Sequence, residues 1–239
     1  MKHAAVLALL AILPAPDAKE DLAKAAARTR ELENYKFKGE ITVSGVPFLA
    51  EPVAYEGAFV KDRGFMATMG PFGSIFRLDK KVAVKDPDSG TWILLKPGTK
   101  IGEGELAAQI PIIARGLKAP HDELKKFEDR FTEIKKLDAA EKIGDAECAV
   151  YEGPLTEGGV RGTLPAGVGM LLGKGKFEGK SRVWVGPEGR IVRIVSEGKA
   201  EIEDKERTMD LTFSRTIDFL EVGKAKIEMP PEVKKLFEE

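Results

Sequence analysis

Cysteine is nearly absent from this chain. Of 239 residues only Cys148 carries a thiol, which excludes an internal disulfide and any zinc site built from several thiolates. Histidine is as scarce: beyond His3, His121 is the only imidazole. Asn and Gln occur once each, as Asn34 and Gln109. Neither charge sign dominates. Lys and Arg number 38 against 39 Asp and Glu, a formal charge of −1, so the basic excess that phosphate backbones require is missing and nucleic acid is not expected as a partner. Long apolar runs are missing too: Ala4–Leu13, ten residues, is too short to span a bilayer. What remains is 43% hydrophobic and 32% charged sequence, enough for one sizeable core in a soluble domain.

The N-terminus reads as an address. Met1-Lys2-His3 is a short basic start, Ala4–Leu13 an apolar stretch, and Pro14-Ala15-Pro16-Asp17-Ala18 a small-residue exit. This order predicts a secretory signal over 1–18, cleaved after Ala18, and an exported mature domain over 19–239. A lone cysteine suits a chain that must avoid mispairing outside the cell.

Periodicity predicts the elements. Lys19–Glu33 has Leu22, Ala25, Ala26, Thr29 and Leu32 at helical spacing. Tyr35–Gly45 then switches to period two, with Tyr35, Phe37, Gly39, Ile41 and Val43 on one face, the signature of an antiparallel strand with one wet side. Further strands are expected at Ala54–Lys61, Gly64–Met69, Ser74–Leu78, Lys81–Lys85 and Thr91–Lys96, separated by Gly, Pro and Asp turns. Glu103–Leu117 has a helical tendency that Pro111 should kink or split. Asp122–Leu137 carries Leu124, Phe127, Phe131, Ile134 and Leu137 as one apolar stripe and is expected to be a helix. Strands return at Glu147–Gly153, Lys180–Val185, Arg190–Ile202, Glu206–Ser214 and Lys226–Met229, and Pro154–Lys180 is glycine-rich. The expected fold class is α+β: about ten antiparallel strands in one strongly curved sheet, its concave face covered by about three helices.

The motifs that would carry catalysis are not found. His121 lies in Pro120-His121-Asp122-Glu123, the start of the expected helix, and no Gly-x-Ser-x-Gly elbow accompanies it. Cys148 falls inside a strand and reads as a small buried hydrophobe. Asp86-x-Asp88-x-Gly90 lacks the later ligands of a calcium loop and reads as a hairpin turn. Gly167-x-Gly169 and Gly173-x-Gly175 do not join a strand to a helix as a dinucleotide fingerprint must. No cofactor, no metal and no enzyme activity are expected. The unusual features are apolar: Phe65–Phe76 packs two Met and three Phe into a short stretch, and Leu164–Leu172 is apolar yet glycine-rich. Each reads either as ordinary core or as the soft wall of a binding cavity.

Several segments carry a resemblance. An N-terminal helix leads into Tyr35-Lys36-Phe37-Lys38-Gly39-Glu40-Ile41. Tyr55-Glu56-Gly57-Ala58-Phe59-Val60 and Lys80–Val84 ahead of Thr91-Trp92-Ile93 follow. Ile143–Tyr151, Arg182–Arg193, Thr212-Phe213-Ser214 and Ile227-Glu228-Met229-Pro230 complete the series. This ordering resembles the LolA-like lipoprotein-carrier superfamily, including the LppX/LprG-like mycobacterial lipid carriers. The chain departs from the mycobacterial group in having no lipidation cysteine after the apolar stretch. The resemblance implies an unclosed β-barrel with a helical lid that holds acyl chains in its hollow.

On that footing Ile41, Phe59, Trp92, Trp184, Ile194 and Phe213 are expected on the cavity floor, with Leu94, Met209 and Leu211 also lining it. Phe65, Met69, Phe72, Phe76, Ile112, Ile113, Leu117, Met170 and Leu171 are expected around the mouth. The implied partners are lipid or lipoprotein acyl chains and membrane donor and acceptor proteins, served by a monomeric periplasmic carrier. The alternative is an envelope sensor or protein-interaction module that uses the fold without carrying lipid.

Overall fold

Alternating side chains produce one antiparallel sheet with two unequal faces. The computed structural model describes residues 17–45, 51–103, 105–164, 175–204 and 207–239. Side chains are described for all of these except 105, 106, 203, 204 and 207–209. The signal segment before Asp17 and the candidates Met170 and Leu171 lie outside the described residues.

The strands are β1 (Asn34–Val43), β2 (Val53–Val60), β3 (Gly64–Met69), β4 (Ser74–Leu78), β5 (Lys81–Lys85), β6 (Trp92–Leu94), β7 (Lys135–Lys136), β8 (Glu141–Ile143), β9 (Ala146–Pro154), β10 (Gly175–Val185), β11 (Ile191–Asp204) and β12 (Arg207–Leu220). Their order is β6-β5-β4-β3-β2-β1-β12-β11-β10-β9-β7, with β8 paired to β9. β6 and β7 are the two ends and do not meet, so the barrel stays open. The closing step of the topology joins the first strand to the last: Phe37 pairs with Phe219 and Ile41 with Arg215.

Two helices cover the concave face, which carries the main core. α1 (Ala18–Arg30) begins at Asp17, whose carboxylate accepts from the Lys19 N–H at 2.9 Å. Glu20 and Asp21 in its first turn and Arg28 and Arg30 in its last complement the helix dipole. It buries Leu22, Ala25, Ala26 and Thr29, and the Thr29 hydroxyl accepts the Ile191 N–H at 2.9 Å, tying the helix to β11. α2 (Glu105–Gly116) lies over the β3–β5 side and contacts β5. Pro111 sits inside it without splitting it.

The expected helix over 122–137 is not formed. Pro120–Leu124 and Phe127–Arg130 are separate 3-10 turns, and Phe131 pairs with Leu155 as a β-bridge before β7. The stripe is buried all the same: Leu124, Phe127 and Phe131 all reach the core. Mostly three-residue spacing fits 3-10 turns as well as it fits an α-helix. Lys126, with φ of 52°, breaks the chain between the two turns.

The glycine-rich stretch contains a helix that periodicity did not predict, α3 (Glu157–Thr163), capped by Thr156, whose hydroxyl accepts from Gly159 at 3.0 Å. The expected strand over 226–229 is not formed either. Ile227 is instead buried beside α4 (Pro231–Glu238).

Two smaller apolar clusters sit on the outer face. Under α4, Phe76 and Ala83 pack with Ile227, Val233 and Phe237. At the other end Cys148, Val150 and Trp184 are covered by Leu137, Ile143 and Ala146. Runs such as Ile75-Phe76 and Val183-Trp184-Val185 are apolar at successive positions because both faces of the sheet are buried there.

Candidate functional site

A cavity of about 670 Å³ opens on the concave face beside the C-terminal end of α2. Its apolar wall is Ile41 from β1, Met69 from β3, Ile113 and Leu117 from α2 and its exit, and Leu164 after α3. Its polar wall is Tyr55, Lys118, Asp122, Glu123, Lys125, Lys126, Arg130, Arg161 and Arg215. Sheet, α2, the two 3-10 turns and α3 therefore each supply one side. A void of about 20 Å³ lies behind it, walled by Leu124, Phe127, Ile194 and Ile217 and sharing Glu123, Arg130 and Arg215.

The polar side is an ordered network. Arg215 on β12 gives both terminal nitrogens to the carboxylate of Glu123, at 2.8 and 2.9 Å. It also donates to the Thr163 carbonyl at 3.0 Å and to the Tyr55 hydroxyl at 3.3 Å. Tyr55 in turn donates to the Thr216 carbonyl at 2.9 Å. Its ring crosses β1 at Gly39, where a Cβ would stand 2.4 Å from the ring, so only glycine fits there. Burial works against the charge of Arg215, but Glu123 and Tyr55 outweigh it and hold its pKa above the ordinary value. Burial raises the Tyr55 pKa, so its hydroxyl stays protonated.

Arg130 is placed differently. It donates to the carbonyls of Glu123 and Gly162, at 2.5 and 3.4 Å, and its guanidinium lies 5.4 Å from the centre of the Phe127 ring. Burial lowers its pKa, with Glu123 opposing and Arg215 adding to the shift. Arg161 pairs with Glu157 at 3.0 Å and stacks 4.0 Å from the centre of the Phe177 ring. α2 is held from below: Arg77 on β4 donates to the Ala114 and Arg115 carbonyls at 2.9 and 2.6 Å, satisfying carbonyls in the helix's last turn.

Among solved structures, LprF from Mycobacterium bovis aligns over 92% of this chain and 98% of its own, at 13% identity and a TM-score of 0.51. The chain has the LprF fold. LppX from Mycobacterium tuberculosis aligns over 89% of this chain and 98% of its own, at 11% identity and a TM-score of 0.49. A LolA superfamily protein from Nitrosomonas europaea aligns over 92% and 97%, at 14% identity and a TM-score of 0.30. No family model and no curated protein matches the sequence. The resemblance read from the sequence is thus a resemblance of architecture. At such identity the likeness to LprF fixes the open barrel, and the cavity's chemistry has to be read from this chain's own residues.

The cavity gathers only part of the expected lining. Ile41, Met69, Ile113 and Leu117 wall it, and Ile194 walls the small void behind. Phe59, Phe65, Phe72, Leu211 and Phe213 are on the concave face but belong to the packed core around it. Phe65 stacks on Phe37 with ring centres 5.4 Å apart and planes 7° apart, so aromatic side chains fill that half of the barrel.

Four expected lining residues face the other way. Phe76, Trp92 and Leu94 lie in the outer cluster under α4, and Trp184 lies in the outer cluster with Cys148. The reason is register: Phe65 pairs with Arg77, which puts Phe76 on the opposite face, and Leu94 pairs with Ala83 on that same face. The Trp184 indole donates to Glu141 at 2.9 Å on the outer side. Ile112, expected at the mouth, is 44% exposed on the solvent side of α2. Met209 pairs with Ile202 in the ladder, and its side chain lies outside those described.

Sequence reasoning missed Arg215, Glu123, Tyr55, Arg130 and the lysines of the rim. One signal was present: Arg215 falls on the apolar parity of β12, between Phe213 and Ile217. His121, read as a surface residue, is half-buried. Its Nδ1 lies 2.7 Å from the Tyr35 hydroxyl, its backbone N–H donates to that oxygen at 3.1 Å, and its ring is 4.2 Å from that of Phe59. No described helix is long and apolar enough to cross a membrane. Among the described residues no group of three His, Cys, Asp or Glu could hold a metal ion.

Proposed function

We propose that this protein is an exported carrier that shelters the acyl chain of a lipid or lipoprotein in the cavity beneath α2, and that it works in the periplasm. The observation that carries this reading is the cavity itself: about 670 Å³, apolar on one wall, on the concave face of the sheet beside α2. That volume lies within the range of about 300–1,000 Å³ typical of small-molecule sites. The fold shared with LprF and the export-type N-terminus support the same reading.

The physics fits a carrier. Each methylene sheltered from water is worth about 0.8 kcal/mol, so a sixteen-carbon chain gains roughly 12 kcal/mol on leaving water. It gains almost nothing on leaving a bilayer, where it is already in hydrocarbon. Loading and release then run close to balance, and the position of α2 over the apolar wall can decide between them. The test is organic extraction of the protein purified from its native compartment without detergent, followed by mass spectrometry. Stoichiometric lipid in the extract is expected. A protein that emerges lipid-free and takes up no fluorescent fatty-acid probe would instead point to a sensor or interaction module.

A further inference from the structure

We infer that the cavity selects an amphiphile with an anionic head, whose phosphate or carboxylate is held at the rim by Lys125, Lys126 and Arg130 while its tail lies against Ile41, Ile113 and Leu117. This rests on the reading that the cavity holds lipid, and it names the class of lipid.

The first support is a local charge imbalance. The cavity wall carries six cationic side chains against two acidic ones, in a chain whose formal charge is −1. Arg161 is compensated by Glu157 from outside the wall and Arg215 by Glu123. Lys118, Lys125, Lys126 and Arg130 remain against Asp122, an excess a neutral ligand would leave unmet at the edge of a region where apolar walls strengthen electrostatic interactions.

The second is the way the acidic groups are used. Arg215 occupies both oxygens of Glu123. Arg130 leans on the backbone of the same residue but has no carboxylate within 4.0 Å among the described residues, and donates to carbonyls alone. Two guanidiniums thus stand beside one carboxylate that Arg215 alone engages, and the cluster keeps a positive charge beside the apolar wall. Asp122, the other acidic group of the wall, lies 3.4 Å from His121.

The third is the backbone at Lys126. Its φ of 52° is one that lysine adopts with strain and glycine without. The strained residue sits between the two 3-10 turns, and it is part of the cavity wall. Lysine at a position that glycine would stabilise suggests that its side chain is wanted there.

The apolar and cationic parts are adjacent along the chain as well as in space: Leu117 precedes Lys118, and Arg161 and Gly162 precede Leu164. A tail and a head on one molecule meet both.

The experiment uses the full chain as secreted and a neutral apolar dye, N-phenylnaphthylamine, as cavity reporter. Lysophosphatidylglycerol and lysophosphatidylcholine of equal chain length compete for it below their micellar concentrations. The anionic lipid is expected to compete about tenfold better at low salt, and the ratio to shrink in high salt. In Lys125→Glu/Lys126→Glu, both exposed positions, the ratio of the two lipids, taken within the variant so that any change in dye affinity cancels, is expected to fall to about one. Lys126→Gly should raise the melting temperature and still lower the ratio, which relief of backbone strain alone would not do. Inorganic phosphate at millimolar concentration and matched ionic strength should not displace the anionic lipid.

Equal competition by the two lipids in the wild type, or an unchanged ratio in the double variant, overturns this inference and leaves the carrier reading standing. Displacement by inorganic phosphate reassigns the rim to a free anion and overturns it too. No uptake of dye or of either lipid overturns the carrier reading itself and this inference with it.

Discussion

Arg215 and Glu123 meet through two parallel hydrogen bonds, 2.8 and 2.9 Å long, that join the centre of the sheet to the first 3-10 turn. The two residues are 92 positions apart, and their side chains are only 11% and 17% exposed. The pair fixes the polar wall of the cavity to its floor.

Removing one partner strands the other. Arg215→Met is expected to destabilise the protein by about 2–4 kcal/mol, the scale for breaking a largely buried pair, reduced for residual solvent contact. Glu123→Gln should do nearly as much, and the double variant should lose less than the sum. Urea unfolding of the three proteins measures this; strictly additive losses would show that the two side chains are not coupled.

Arg77 acts on the other cover of the barrel. It is the only described side chain shown donating to the Ala114 and Arg115 carbonyls of α2. Arg77→Met removes two charge-assisted hydrogen bonds and should cost about 2 kcal/mol. More tellingly, amide exchange in α2 should accelerate while β1 and β12 keep their protection, and dye uptake into the cavity should become faster. Uniform acceleration across the sheet would mean that Arg77 supports the whole fold and not the cover.

The buried contact of His121 with Tyr35 carries a pH dependence. The Tyr35 hydroxyl accepts the His121 backbone N–H and hydrogen-bonds the ring at Nδ1, while Nε2 lies towards Asp122. Burial lowers the His121 pKa, with Asp122 opposing and Arg30 adding to the shift. Burial also raises that of Tyr35, so the phenol stays neutral. A depressed folded-state pKa means that the unfolded chain takes the proton first. The stabilisation is therefore complete above the ordinary histidine pKa, about 6.5, and is lost as the pH falls through the folded value. The melting temperature should drop more between about pH 7 and about pH 5 in the wild type than in His121→Gln. Parallel curves would remove His121 from the account.

The two faces of the sheet should separate by mutation. Leu117→Trp adds volume at the cavity wall and should cut lipid uptake severalfold with stability held within about 1.5 kcal/mol. Leu94→Ala, beneath α4 on the outer face, should cost about 1–3 kcal/mol and leave uptake unchanged. Lost uptake in a folded Leu94→Ala protein would contradict the face assignment.

The strands and the first helix were legible because their signals are local. Tyr35–Val43 alternates with one wet face, and the Asp62-Arg63-Gly64 and Asp86–Gly90 turns punctuate the hairpins, so β1 to β5 emerge within a residue or two of their observed ends. Local signals failed where tertiary partners replaced them. The Leu124–Leu137 stripe is spaced almost as an α-helix but folds as 3-10 turns and a bridge, because its side chains bury against α1 and the sheet whatever the backbone does. α3 forms despite three glycines, held by its Thr156 cap and by close packing at Gly159, where a Cβ would stand 2.3 Å from the Arg130 carbonyl.

The site divides in the same way. Hydrophobicity is a property of single residues and periodicity of short windows, and together they determined an open, curved antiparallel sheet with helices on one face and apolar material to spare. Which apolar residues face the hollow depends on pairing register, and Phe76, Trp92, Leu94 and Trp184 fell on the outer face because a one-residue step inverts a strand's side chains. The polar wall was beyond reach for a related reason. Arg215, Glu123 and Tyr55 come from β12, a 3-10 turn and β2, and only folding brings these three groups together to compensate one another's burial.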